Sequence, residues 1–190
     1  MTAPIAELPD AFRPMTVVEF NQLAELGAFD DDVQVELVGG VIVEMAPIGE
    51  HHARHVTRLN TLLAQQCGQE YLISPQNPIF ADDISQPQPD LAVLPRSEWE
   101  GADAHPSTAV LVIEVALTSR RFDLGEKARR YAMAGYPEYW VVDIDQRLVH
   151  VHRDPNPDGT WGSVAPQADG TIQAVAVTTV SVDVGWVFDR

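Results

Sequence analysis

Between Ala109 and Leu117 the chain runs apolar for nine residues with one interruption, Glu114. A strand that fails to alternate with polar residues must be covered on both faces, so this run belongs in the interior of a sheet with layers on either side. It is far too short to cross a bilayer. The strand therefore demands a layered domain, and the rest of the sequence has to supply the layers.

It does so with both element types. Met15 to Leu26 has helical spacing, with Thr16 as N-cap and Gly27 as terminator. Val33, Val35 and Leu37 alternate with polar residues, Gly39-Gly40 signals a hairpin, and Val41 to Met45 returns. Glu50 to Gly68 is a long helix with Val56, Leu59, Leu62, Leu63 and Cys67 on one face. Short strands are expected at Tyr71 to Ile73 and Leu91 to Leu94, and a polar loop over 96–108. A helix follows over Asp123 to Ala134, then strands at Tyr139 to Val142 and Leu148 to His152. Asp154 to Gly162 reads as a loop, and Thr171 to Val187 as β-rich, closing on an apolar Trp186-Val187-Phe188 edge. The expected class is α/β, bordering on α+β, with a mixed β-sheet flanked by helices and a β-rich C-terminal extension.

A chain of 190 residues has room for one domain, 1–190, with 1–13 as a poorly structured N-terminal arm. Its 45% apolar and 21% charged content excludes global disorder. Met1 to Pro14 lacks the apolar core of an export signal, so a cytoplasmic protein with no membrane partner is expected. Twelve basic against 28 acidic side chains give a net charge of −16, which argues against coating nucleic acid by general charge attraction. That balance does not exclude a nuclease, because metal ions bring their own positive charge.

Glu114 is the most informative residue. A lone carboxylate in an apolar strand must pair with a cation, coordinate a metal or shift its pKa. The simplest alternative to a site is an ion pair with an arginine at the strand end. Asp90 follows Pro87-Gln88-Pro89 and opens a strand, so its carboxylate is held at a sheet rim, although Pro-Asp is also common turn chemistry. Two carboxylates on neighbouring strand ends suit Mg²⁺, which takes hard oxygen ligands and keeps several waters. Lys127 is the single lysine beside eleven arginines. It shares a helical stripe with Asp123 and Tyr131, and the short crossover from Glu114 brings that helix near the strand's end. An ammonium there can stabilise a phosphoryl transition state, or it can be a solvated cation on a helix face. His51 and His55 have the spacing of a zinc pair but lack the accompanying Glu, while His52 points along the apolar face. Ser119 has no nucleophile elbow around it, and no phosphate loop or dinucleotide fingerprint is present.

Set side by side, these residues resemble a known family. Val35-Glu36-Leu37-Val38-Gly39-Gly40, Pro89-Asp90-Leu91-Ala92-Val93 and Ile113-Glu114-Val115 match it in order and spacing. So does the stretch from Asp123 through Lys127, Tyr131, Gly135, Pro137, Tyr139 and Trp140 to Asp143. The chain resembles the Uma-type restriction endonuclease family, a branch of the PD-(D/E)XK nuclease superfamily, over roughly residues 14 to 188. The resemblance implies a restriction-endonuclease-like core with a divalent-metal site at one sheet edge. Asp90 and Glu114 match the metal-binding acids. The superfamily's lysine position, two residues after the Glu, is Ala116 here, and Lys127 matches a lysine moved onto the following helix. Glu36 matches a hairpin Glu that adds a weaker metal ligand, and His52 matches an accessory His. The departures are Gly39, where the family more often has Asp, and Ala116-Leu117, where it more often has small polar residues.

The implied activity is Mg²⁺- or Mn²⁺-dependent hydrolysis of DNA by a metal-activated water. Asp90, Glu114 and Lys127 would be catalytic, and the protein a homodimer on analogy with restriction enzymes. Two rivals stand beside it: a non-catalytic regulatory or protein-interaction module on the same fold, and an RNA nuclease. The charge of −16 favours the first, since Arg120, Arg121, Arg129 and Arg130 are the only tight arginine cluster.

Overall fold

The computed structural model describes residues 13–30, 32–101 and 103–189, so the N-terminal arm expected over 1–13 lies outside the described residues apart from Arg13. Helix α1 (Val17–Glu25) begins where Thr16 makes a capping box: its hydroxyl accepts from Glu19 N, and the Glu19 carboxylate accepts from Thr16 N. Strands β1 (Val35–Val38) and β2 (Val41–Glu44) form an antiparallel hairpin around Gly39-Gly40. Both glycines have positive φ, 62° and 74°, as a tight two-residue turn requires.

That hairpin is fastened to the loop leading into β4. Gly40 N donates to Ile84 O at 2.7 Å, Gln86 N to Leu37 O at 2.8 Å, and Gly39 N to the Ser85 hydroxyl at 3.0 Å. A Cβ on Gly40 would fall 2.6 Å from Pro14 Cα and 2.9 Å from Met15 N. Because backbone cannot yield as a flexible side chain can, Gly40→Ala is expected to cost about 2 kcal/mol from left-handed strain plus the clash. Urea unfolding of the two proteins measures it, and equal midpoints would mean the hairpin is not held against residues 14 and 15.

Helix α2 (Glu50–Gln66) buries Val56, Leu59 and Leu63 on one stripe. Strands β3 (Tyr71–Pro75), β4 (Leu91–Pro95), β5 (Leu111–Ala116), β6 (Glu138–Asp143), β7 (Leu148–Pro155) and β8 (Trp161–Gln167) form one sheet in that order. A single helical turn, α3 (Arg96–Trp99), follows β4. Only the β5–β6 pairing is parallel. Such a pair needs a long crossover, supplied by α4 (Arg120–Phe122), a π-helical turn (Asp123–Lys127) and α5 (Ala128–Met133). The chain closes with the hairpin β9 (Thr171–Gln173) and β10 (Ser181–Asp183) and the helix α6 (Val184–Phe188).

All six residues of β5 are buried, and the strand lies inside the sheet. Ile113 and Val115 face a core shared with α2, Trp140 and the C-terminal elements; Val112 and Ala116 face the other core, with Ala128, Tyr131 and Tyr139. Alternation puts Glu114 on the second face, beneath the crossover helix. This is a mixed sheet flanked by helices, of the α/β class.

Three boundaries differ from the sequence expectation. The 154–162 loop is shorter, because β7 runs to Pro155 and β8 begins at Trp161. Strand β8 lies at the sheet edge, is mostly solvent-exposed and contains Pro166, so it carries no apolar alternation to read. Trp186-Val187-Phe188 is helical, not an extended edge. Five residues are too few to show a helical period, and the signal was Asp183, whose carboxylate accepts from Trp186 N at 2.7 Å. The crossover helix starts at Arg120, three residues before the expected Asp123. Among the described residues no helix is long and apolar enough to cross a membrane.

Candidate active site

Antiparallel pairing of Leu91 with Ile113 brings Asp90, just ahead of β4, beside Glu114 in β5. Asp90 N donates to Glu114 Oε2 at 3.3 Å, and Val115 N donates to Asp90 Oδ2 at 2.8 Å. Pro87 and Pro89 stiffen the approach, so the Asp90 side chain is held by backbone on both sides. The first turn of α2 then delivers His52, whose Nε2 lies 3.0 Å from Asp90 Oδ2.

The crossover helix closes the site from above. Lys127 Nζ sits 3.0 Å from Glu114 Oε1 and 3.0 Å from Glu36 Oε1. Glu36 reaches in from the hairpin, its other oxygen accepting from Gln88 N at 2.9 Å. Tyr131 donates its hydroxyl to Glu114 Oε1 at 2.9 Å, and Tyr139 donates to Asp123 O at 3.0 Å. Their rings, centroids 4.9 Å apart, wall the site with aromatic surface. The π-helical turn spans Asp123 to Lys127: Ala128 N bonds back to Asp123 O, five residues earlier. Such wide turns cluster at functional sites, and this one buries both of its end residues, Asp123 and Lys127. Ser119 donates its hydroxyl to Asp123 Oδ2 at 2.5 Å.

Four acids therefore share one corner with a single ammonium, all nearly inaccessible: Glu36 3%, Asp90 7%, Glu114 4%, Asp123 2% and Lys127 4% exposed. Burial raises Glu114 well above the usual carboxylate range; Lys127 opposes the rise, while Asp123, Asp90 and Glu36 add to it. Burial likewise lifts Asp123 to about 6, again against Lys127. Burial works against the Lys127 ammonium too, but Glu114, Glu36 and Asp123 outweigh it and keep the lysine charged. His52 is raised, first by its hydrogen bond to Asp90 and against its own burial. Four carboxyl groups cannot all ionise favourably around one lysine in a desolvated pocket, and that excess of acids is the dominant property of the site.

The Mg²⁺ or Mn²⁺ that the resemblance implies suits this excess in charge and in ligand type. Both hydrogen bonds that Asp90 accepts from described residues fall on Oδ2, leaving Oδ1 for a cation. His52 Nδ1 is buried without a partner, a further unfilled polar contact at the same rim. No group of three or more His, Cys, Asp or Glu among the described residues could hold a metal ion. The donor set thus fits an ion held by one or two carboxylates and mostly by water, as Mg²⁺ prefers, and does not fit a closed protein cage. His51 is exposed, and His55 is engaged with His51 O at 2.7 Å.

The structure brings Glu36, His52, Asp90, Glu114 and Lys127 into one constellation. Sequence reasoning left out Asp123, Tyr131 and Tyr139. The signal for the first two was present, because the stripe through Lys127 contains both. Tyr139 carried none, since an aromatic in an apolar strand reads as core. The arginine cluster does not form a free basic stripe: Arg120 pairs with Asp143, and Arg129 and Arg130 with Glu126.

A search among curated proteins finds no match to the sequence. Among solved structures, the crystal structure of "a putative nuclease belonging to DUF820" from Anabaena variabilis ATCC 29413 superimposes with a TM-score of 0.76. The match covers 92% of this chain and 98% of that one. At 15% identity this likeness establishes a shared fold and nothing finer. The sequence itself matches the Uma2 family model, described as "Putative restriction endonuclease", over residues 17–185. That span holds the hairpin Glu36, the two strand acids and the helical lysine, and the chain belongs to the Uma2 family.

Proposed function

We propose that the protein hydrolyses phosphodiester bonds in DNA with Mg²⁺ or Mn²⁺ held by Asp90 and Glu114. The observation that carries the reading is the meeting of two acids from neighbouring strands with a compact ammonium 3.0 Å from one of them. When bound, the ion would supply Lewis acidity and lower the pKa of a water. Asp90, through Oδ1, and Glu114 would hold that ion. Glu36 bonds Lys127 and Gln88 N, so it anchors the lysine and is the weaker of the proposed ligands. With Glu36 and Glu114 occupying two sides of the ammonium, a third N–H remains for a phosphoryl oxygen, where it neutralises charge developing in the transition state. Tyr131 fixes the Glu114 carboxylate, and His52 holds the Asp90 carboxylate at the rim. Substrate enters there, because His52 at 19% and Asp90 at 9% have the most exposed side chains of the five. Cutting a duplex on both strands requires two such sites, so a cytoplasmic homodimer belongs to the same reading by analogy.

A non-catalytic interaction module is the second reading, favoured by the lack of a three-ligand group among the described residues and by the net charge of −16. Plasmid DNA incubated with Mg²⁺ or Mn²⁺ separates the two. The nuclease reading expects nicked and linear products that chelation abolishes, and single-stranded RNA as competitor distinguishes a DNA from an RNA enzyme. It also expects Mn²⁺ binding, followed calorimetrically, to weaken about tenfold or more in Asp90→Asn, one charged ligand having been lost. No cleavage with either ion, and Mn²⁺ binding indifferent to Asp90, would leave the interaction module.

A further inference from the structure

At the same end of the sheet as the acidic constellation, on the face covered by α2, lies a cleft of about 400 Å³. Its walls are His51, Arg54 and His55 from α2, Arg147 from the β6–β7 turn, and Phe188 and Asp189 from the C-terminal end. We propose that this cleft binds the phosphodiester backbone of the nucleic-acid strand whose scissile phosphate sits at Asp90 and Glu114. The inference rests on the nuclease reading and extends it to a substrate-tracking surface.

Charge is the first argument. Arg13, Arg96, Arg120, Arg129, Arg130 and Arg153 each pair with a carboxylate. Among the described residues Arg54, Arg58, Arg121 and Arg147 pair with none. Two of these four line the cleft. Arg58 stands one turn beyond Arg54 on α2, stacked 4.4 Å over Trp186 and donating to the Trp186 and Asp189 carbonyls, where it holds the C-terminal wall. Arg121 is exposed and follows β5 at the same end of the sheet. In a chain of net charge −16, three of the four described arginines without a carboxylate partner thus line or brace one opening. Most of the remaining surface repels a polyanion, which concentrates the attraction at this face. Asp189 is the one carboxylate among the lining residues.

Position is the second argument. His52, which touches Asp90, lies in the same turn of α2 as His51, Arg54 and His55. On the opposite wall, β6 runs parallel to β5 with Glu114 opposite Val141 and Ala116 opposite Asp143, and Ile144 N donates to Ala116 O. The turn bearing Arg147 therefore leaves the sheet about 7 Å beyond Glu114, at two residues of strand rise, a spacing on the scale of neighbouring phosphates.

Preparation is the third. Arg147 has a positive φ of 52°, unusual for a residue with a Cβ. It donates to Phe188 O at 3.0 Å and packs 5.5 Å from the Phe188 ring centre. His55 meets the same ring at 6.1 Å. The guanidinium is ordered on an aromatic face while Arg147 as a whole stays exposed. Such geometry suits a backbone contact that reads phosphate and not sequence.

The test is fluorescence anisotropy with a short labelled DNA duplex, without divalent ions, over a series of salt concentrations. Arg54→Ala/Arg147→Asn is compared with wild type, Asn being chosen because it tolerates the left-handed backbone at 147. Arg13→Ala/Arg96→Ala controls for loss of two positive charges elsewhere. The double variant is expected to bind about tenfold more weakly or worse, with its log–log salt slope shallower by about 2, near one unit per phosphate contact. The control pair keeps the wild-type slope, and Arg54→Ala alone gives about half the change should the Arg147 variant fold poorly. Wild-type slope in the cleft variants, with wild type both binding and cleaving, overturns the cleft and leaves the nuclease standing. Equal loss in the control pair also overturns it. Wild type that neither binds nor cleaves removes both.

Discussion

Lys127→Arg is expected to lower metal-dependent DNA cleavage by about two decades, the value of one transition-state contact at on the order of 3 kcal/mol. A cation on a solvated helix face would tolerate the change, since charge and helix propensity are both kept. Lys127 is not in that situation. It is 4% exposed and lies 3.0 Å from two carboxylates. A guanidinium there is wider, spreads its charge over a plane and cannot offer a compact third donor in the same place. The sequence alone suggests that Lys127→Ala would cost activity with little change in folding. Burial revises the second half of that expectation. Removing the ammonium leaves Glu114, Glu36 and Asp123 without the charge that compensates them, so Lys127→Ala is expected to lose about 3 kcal/mol of stability as well. Lys127→Arg is accordingly the informative variant, losing no more than about 1–2 kcal/mol through overpacking. Single-turnover cleavage with thermal melts alongside measures both. Full activity in Lys127→Arg would return the lysine to a purely structural ion network.

The site was legible in part because buried charge is conspicuous against apolar sequence. Glu114 interrupts a strand whose neighbours are all apolar, and Lys127 is the one lysine in the chain. Each stands out from the sequence alone. Asp123 shares the Lys127 stripe but does not stand out by itself, because an acid in the first turn of a helix usually serves the dipole and the solvent. Only the crossover geometry, with a π-helical turn running from Asp123 to Lys127, shows that it points inward. Strand order was also out of reach. The parallel β5–β6 pairing follows from the crossover between them, but nothing local announces that β8 adds to the edge beyond β7. The basic cleft was invisible for a related reason. Arg54 and Arg147 are 93 residues apart, and neither belongs to the run of arginines that stands out in the sequence. What distinguishes them is that they line one cleft without a carboxylate partner, a property of the folded chain alone.

Asp123→Asn is expected to stabilise the protein in the absence of divalent ions, by an amount that grows with pH. Burial holds the Asp123 carboxyl at about 6 against an ordinary 3.8. The folded state therefore keeps a proton there over a range in which the unfolded chain has released it. Stability from this group is intact below pH 4, falls as pH rises from about 4 to 6, and is fully lost above that. A shift of about two pH units corresponds to on the order of 3 kcal/mol. Asparagine never ionises, retains a partner for the Ser119 hydroxyl and so escapes the loss. The two proteins should melt alike near pH 4, and the variant should melt roughly 10 °C higher at pH 8 in a chain of this size. Mg²⁺ should narrow the gap by raising wild type, since a cation at Asp90 and Glu114 relieves the same repulsion. A difference that is constant across pH would mean that the Ser119–Asp123 contact, and not the crowding of four acids around one lysine, sets the stability of this corner. A gap that opens with pH would show a fold that tolerates unfavourable charge where the proposed chemistry needs a cation to be drawn in.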